Sequence, residues 1–213
     1  YFPAGWQTNG GFARTFTQAG GRIIQELYPP LGAPDFAPFI TAINRDADVV
    51  MIFVPGADSL KFVLQYAEFG LRGKIPMIGT AMTLEDVLQQ QGEAALGMVN
   101  IHSFFPTMDR PQAKSFITAF EKRFNKPVYQ IAEYGYVGGQ MIDMALQAVG
   151  GKIEDTDAFI KAMEKVELDS PSSPIKFDKY HQVVRDLYLA EAKKVDGKMV
   201  NVVFDKVAQV SQF

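Results

Sequence analysis

The sequence predicts an α/β fold, a parallel sheet with helices on both faces, joined to a run of helices that brings no strands of its own. Three observations predict it. Short apolar runs at Val49–Val54 and Ile75–Gly79 are what strands covered on both faces show, and a third strand is expected over about Met98–Phe104. Segments with helical apolar spacing separate them. From Pro111 to Val166 three helical patterns then follow one another with no strand between them.

In chain order, Ala4 to Ala19 reads as a helix with Phe12 and Phe16 on one face, stopped by Gly20-Gly21. Arg22 to Leu27 reads as a short strand around Ile23-Ile24. Asp35 is placed to cap a helix through Ile43, with Pro38 tolerated in its first turn. After the Val49–Val54 strand, Pro55-Gly56-Ala57-Asp58 breaks the chain, and Leu60, Val63, Leu64 and Ala67 mark a helix that ends at Gly70. Beyond Ile75–Gly79, Thr83 stands as the cap of another helix, with Asp86 at capping-box spacing. The later helices are expected over Pro111–Phe124, Tyr129–Val149 and Asp155–Val166. Ile175–Phe177 and Val184–Val195 alternate like antiparallel strands, and Asp196-Gly197 is a hairpin turn into Met199–Phe204.

Composition narrows the function. The 213 residues allow one or two domains, and a hydrophobic fraction of 47 % is enough for a packed core. The net charge is −3 with Lys and Arg scattered, so no stripe fits a phosphate backbone and nucleic acid is not an expected partner. No apolar run approaches the ~20 residues of a membrane helix, so direct membrane insertion is not expected. The opening Tyr1-Phe2-Pro3-Ala4-Gly5 is not a signal peptide, and the chain enters as if mid-fold. With no cysteine there is no disulfide, thiolate metal site or cysteine nucleophile.

Catalytic patterns are missing too. His102 and His181 stand far apart with no metal-ligand spacing, no serine sits in a G-x-S-x-G elbow, and neither a P-loop nor G-x-G-x-x-G occurs. Glu85/Asp86 and Glu154/Asp155 lie at helix starts, where they offset the dipole. No metal, no cofactor and no enzymatic activity are expected.

Ligands of open parallel sheets bind at the carboxyl ends of the strands. Here those ends are Pro55, Gly56, Ala57 and Asp58, then Thr80, Ala81 and Met82 after Gly79. Both loops carry small residues and lead into helix N-termini, whose N–H groups suit a polar or anionic group. Thr80 can donate a hydroxyl bond and Met82 can form an adaptable apolar wall. Trp6 can stack on a planar ligand, or simply pack at the surface. The loops equally admit plain turn chemistry.

The ordered set Pro34-Asp35-Phe36-Ala37-Pro38, Gly56-Ala57-Asp58, Gln65-Tyr66-Ala67-Glu68-Phe69-Gly70-Leu71, Ile75-Pro76-Met77-Ile78-Gly79-Thr80, Ala94-Ala95-Leu96-Gly97, Lys114-Ser115-Phe116, Phe120, Phe124, Gly135-Tyr136 and Val195-Asp196-Gly197-Lys198 resembles the type I periplasmic binding proteins, in the branched-chain amino-acid subgroup that serves ABC importers. The resemblance implies two lobes. Residues 1–103 form the second lobe, 104–174 return to the first lobe, whose strands lie upstream with the signal peptide, and 175–213 cross back. Phe104, Phe105 and Pro106 form a hinge within Phe104–Met108, with a second crossing near Ser172–Phe177. It further implies a periplasmic protein that closes over a small solute and docks on a membrane permease.

Two departures bear on the solute. Amino-acid binders of this family hold the ammonium with an acidic residue that matches Ala81, and place a tyrosine where Ala57 falls. Their loss disfavours an α-amino acid, because a buried ammonium without a counter-charge is costly. The resemblance then points to members that take aromatic or other apolar carboxylates. The rival readings are a sensor domain of a regulator or receptor, a branched-chain amino-acid binder, an α/β enzyme, and a lobe without autonomous function.

Overall fold

The computed structural model describes residues 3–211. Readings made on Tyr1 and Phe2 lie outside the described residues. The chain divides into two compact units. One holds the stretch up to Ile101 together with Ala190–Val202, and the other holds His102–Leu189 together with the stretch from Val203 onward.

The first unit is a βα alternation. Helix α1 spans Pro3–Gln18, with the Phe12 and Phe16 rings stacked 5.2 Å apart. It stops as its sequence requires: Gly20 adopts φ +91°, and Gly21 N–H reaches back to the Phe16 carbonyl at 2.8 Å. Helix α2 spans Ala37–Thr41, strand β1 Val50–Phe53, helix α3 Ala57–Glu68, strand β2 Met77–Thr80, helix α4 Glu85–Gln91 and strand β3 Val99–His102. A 3-10 turn, Gly92–Ala95, precedes β3. β1 pairs with β2 and β2 with β3, both in parallel. Gly79 permits the close approach of β1, because a Cβ there would stand 2.2 Å from the Ile52 carbonyl oxygen. The core gathers Phe36, Ile40, Ile52, Phe62, Val63, Tyr66, Met77, Met82 and Leu88. Tyr66 is fully buried and donates to the Ile75 carbonyl at 2.9 Å; burial pushes its phenol up to about 12.

Three sequence expectations change in this unit. Arg22–Leu27 is extended but belongs to no ladder among the described residues, because no neighbouring strand meets it. Asp35 is not the cap of α2; Phe36 is, without a side-chain bond. Asp35 Oδ1 instead accepts Ala37 N–H and Gln65 Nε2, each at 2.9 Å, tying α2 to α3. Thr83 does not cap α4 either. Leu84 holds the cap position, and the Thr83 hydroxyl donates to Asn201 Oδ1 at 3.1 Å. A partner on a distant strand outcompetes the local bond.

The second unit carries helices α5 (Pro111–Phe124), α6 (Gln130–Ala148) and α7 (Thr156–Met163). Asp155 caps α7 by accepting Ala158 N–H at 3.0 Å. Their apolar stripes do find strands. Val137, Met141 and Ala145 of α6 pack with Val166 and Ile175, and Leu168 and Phe177 lie against that cluster. The two-residue strand β4 (Leu168–Asp169), not expected from the sequence, pairs antiparallel with β5 (Pro174–Phe177), which pairs antiparallel with β6 (Val183–Val195). β7 (Lys198–Val210) pairs with β6 through the predicted turn, and Asp196 and Gly197 take φ +49° and +79°, both left-handed as a type I′ turn demands. Both long strands run through both units. β7 outlasts the predicted Met199–Phe204 by six residues, because β6 offers it an edge of matching length.

Candidate functional site

Phe53 and Thr80 are register partners at the carboxyl ends of β1 and β2. The loops that follow, Val54–Gly56 and Ala81–Leu84, therefore leave one edge of the sheet side by side. That edge is where an open parallel sheet accepts a ligand.

In the first loop, Gly56 takes φ +64° and ψ −140° and caps α3 with no side-chain bond. Ser59 folds its own N–H (3.0 Å) and hydroxyl (2.7 Å) onto the Gly56 carbonyl. Pro55 is half-buried, and Gly56 and Ala57 are exposed. Asp58 turns inward to 7 % exposure. Its carboxylate accepts Gly32 N–H at 2.6 Å and pairs with Lys61 at 3.0 Å, so its charge is already answered within the unit.

In the second loop, Thr80 and Ala81 are half-exposed. Ala81 holds φ +58°, a conformation that costs a non-glycine residue roughly 1–2 kcal/mol. Met82 is wholly buried, and its carbonyl accepts Gln91 Nε2 at 2.8 Å. Asn201 of β7 fixes the loop's far end: its Nδ2 donates to the Thr83 carbonyl at 2.7 Å and to Glu85 Oε1 at 2.8 Å. These anchors were not singled out from the sequence. The one local signal for Asn201 is a polar residue on the inward face that Met199 also occupies.

Trp6 lies on α1 with 46 % of its surface exposed. Phe104 and Phe105 are fully buried in the second unit and Pro106 is half-buried. The chain itself passes between units at Ile101–His102.

The second unit holds a buried polar cluster. Glu133 of α6 is fully buried, pairs with Arg185 of β6 at 2.8 Å and accepts the Ser172 hydroxyl at 2.8 Å. Burial raises the Glu133 pKa, and Arg185 and Ser172 oppose that rise. Next to it His102 stacks on Tyr134 with ring centroids 5.5 Å apart, and Arg185 lies 5.3 Å from the Tyr134 ring. Burial, aided by the Arg185 charge, lowers the His102 pKa to about 4, so the imidazole is neutral. Such a cluster orders helix against strand.

A cavity of about 470 Å³ opens in the first unit. Of the predicted binding residues only Pro55 and Asp58 border it. No group of carboxylates and histidines fit to hold a metal ion occurs among the described residues, and none of their helices is long and apolar enough to cross a membrane.

A family profile described as periplasmic binding protein matches residues 2–198. Among curated proteins, the chain is 29 % identical over 199 residues to the Leu/Ile/Val-binding protein homolog 6 of Brucella melitensis, covering 90 % of this chain and 51 % of that protein. An ABC transporter substrate-binding protein from Sphaerobacter thermophilus superposes with a TM-score of 0.93 at 31 % identity, covering 98 % of this chain and 58 % of that one. A solute binding protein of an ABC transporter from Rhodopseudomonas palustris BisB5, solved in complex with 3,4-dihydroxy benzoic acid, gives 0.87 at 35 % identity, covering 95 % and 57 %. The chain thus spans about half the length of the curated relatives it matches.

Proposed function

The chain belongs to the periplasmic binding protein family, and from that premise we propose that it forms part of the substrate-binding component of an ABC importer, capturing a small aromatic carboxylate without chemistry. The observation that carries the solute class is the charge state of the two loops. Asp58, in the first turn of α3, is held by Gly32 and Lys61, Glu85 at the start of α4 accepts Asn201 Nδ2, and Ala81 brings no charge. An α-amino acid would place an ammonium there with no counter-ion, at a cost of several kcal/mol. A carboxylate meets no such penalty, since the first N–H groups of α3 carry no side-chain cap. The benzoate-type ligand of the Rhodopseudomonas palustris relative supports the same class.

On this reading Trp6 stacks on the solute ring, Pro55, Gly56, Ala57, Thr80, Ala81 and Met82 shape the pocket, and Asp58 braces the first loop. The two units are the lobes of the receptor, hinged through Phe104, Phe105 and Pro106. The loaded form docks on a membrane permease, in the periplasm. Titration calorimetry on the full gene product tests the reading. Micromolar or tighter binding of 3,4-dihydroxybenzoate or benzoate with none of leucine is expected; leucine binding without benzoate binding overturns it in favour of the amino-acid class that the Brucella relative's name carries.

A further inference from the structure

Helix α3 turns one stripe toward a loop. Asp58, Lys61 and Gln65, spaced three and four apart, share a side of the helix. Each bonds a different backbone group of the segment that leads into α2. Asp58 Oδ2 accepts Gly32 N–H at 2.6 Å, Lys61 Nζ donates to the Ala33 carbonyl at 2.6 Å, and Gln65 Oε1 accepts Phe36 N–H at 2.9 Å. Lys61 also pairs with Asp58 at 3.0 Å and stands 5.6 Å from the centre of the Phe36 ring.

The segment so held begins with a tight turn. Ala33 N–H donates to the Pro30 carbonyl at 3.3 Å and Gly32 takes φ +74°, which makes Pro30–Ala33 a type II turn with glycine at its third position. The N–H of that position takes no part in closing the turn, and here Asp58 accepts it. Leu31 occupies the corner, and Pro29-Pro30 stiffen the approach to it. At 60 % exposure Leu31 is the most exposed large apolar side chain among the described residues.

One exposed leucine needs no explanation. A leucine whose turn is fixed by a whole stripe of a neighbouring helix does, and its place in the unit supplies one. Gly32 is bonded to the second residue of α3, so Leu31 stands beside Gly56 and Ala57 of the first candidate loop. It borders the cavity of the first unit together with Pro55 and Asp58.

We propose that Leu31 is an apolar contact of the solute, and that Asp58, Lys61 and Gln65 are the positioning residues that hold it ready. The inference rests on the solute-binding reading above and adds to it a wall for the apolar part of the ligand. A carboxylate placed at the first N–H groups of α3 leaves the rest of the solute to be taken out of water, and a leucine beside that terminus does so. Because the turn is already fixed, binding loses little loop entropy. The Asp58 charge serves the turn and not the solute.

Calorimetry on the full gene product tests this, with whichever of 3,4-dihydroxybenzoate and leucine the parent binds. Leu31→Ala should weaken binding about tenfold at an unchanged melting temperature, since the side chain removed is exposed. Lys61→Met should weaken binding too, and should speed hydrogen exchange of the Gly32 amide. Once Leu31 is alanine, Lys61→Met should cost little further affinity, because a positioning residue acts only through what it positions. Affinity of Leu31→Ala within about twofold of the parent overturns the proposal; if that variant also fails to stimulate ATP hydrolysis by the permease complex, the leucine faces the permease instead. Full additivity of the two substitutions overturns the positioning role. A parent that binds leucine and not the benzoate sinks the aromatic reading alone, since the Leu31 comparison is then made on leucine. A parent that binds neither overturns both.

Discussion

Asn201 and Thr83 bond each other twice across 118 residues of sequence: the Asn201 amide donates to the Thr83 carbonyl at 2.7 Å, and the Thr83 hydroxyl donates to Asn201 Oδ1 at 3.1 Å. Both are fully buried. The loop that carries Ala81 and Met82 is thereby pinned to the long hairpin rather than to its own helix.

Asn201→Leu strands the Thr83 carbonyl and hydroxyl in an apolar interior. A loss of about 1–3 kcal/mol is expected in urea unfolding. The conservative Asn201→Asp keeps an acceptor for the Thr83 hydroxyl but no donor for the carbonyl, and should lose a large part of the same stability.

Gly79→Ala should be far more damaging than a one-carbon change suggests. The new Cβ would meet the Ile52 carbonyl oxygen at 2.2 Å, and that atom is backbone and cannot swing aside. β1 must separate from β2, with an expected cost of about 3 kcal/mol or loss of soluble protein. Gly135→Ala, in the middle of α6 with nothing near its added carbon, serves as the control and should be neutral or stabilising.

Ala81 separates conformation from contact. Ala81→Gly removes the left-handed penalty and should stabilise by roughly 0.5–1 kcal/mol, read as a higher melting temperature. Ala81→Glu leaves the penalty and adds a carboxylate at the loop. On the proposed solute class, benzoate binding should weaken at least tenfold on the order expected for a like charge in a closed site. Unchanged affinity by calorimetry would remove this loop from the solute contact.

His102 makes stability depend on pH. The folded imidazole, buried and facing Arg185, takes a proton only near pH about 4, against 6.5 in the unfolded chain. Between those values the unfolded chain binds more protons. The contribution is whole above the unfolded value and shrinks as pH falls toward the folded one, by up to about 3 kcal/mol. Glu133, whose pKa burial raises, slopes the opposite way, since its effect weakens the fold as pH rises. Comparing parent with His102→Asn by urea unfolding across this window isolates the histidine term; a variant with the same slope as the parent would refute it.

Much of the fold is readable from local chemistry. Pro111 at the first position and Asn125 in the left-handed conformation at the end bracket α5 at its predicted bounds. Asp196-Gly197 marks the hairpin, because left-handed φ values select such pairs. What the sequence hides depends on distant partners. Arg22–Leu27 has the composition of a strand, but a strand exists only with a neighbour. Thr83 has the spacing of a cap, but the Asn201 side chain competes for its hydroxyl. At the candidate site, the loop positions could be read from strand ends, whereas the inward turn of Asp58 depends on the Gly32 N–H, 26 residues away.

The two units exchange chain at Ile101–His102, Leu189–Ala190 and Val202–Val203. Neither is therefore an uninterrupted stretch of gene. No simple truncation yields one of them intact, and a protease that nicks a single junction leaves at least one fragment that carries parts of both units. Dissection would need β6 and β7 to be cut together and the ends re-ligated in a new order. In evolution, too, such a chain can swap or duplicate its loops freely, while recombination of one whole unit for another must break three junctions at once.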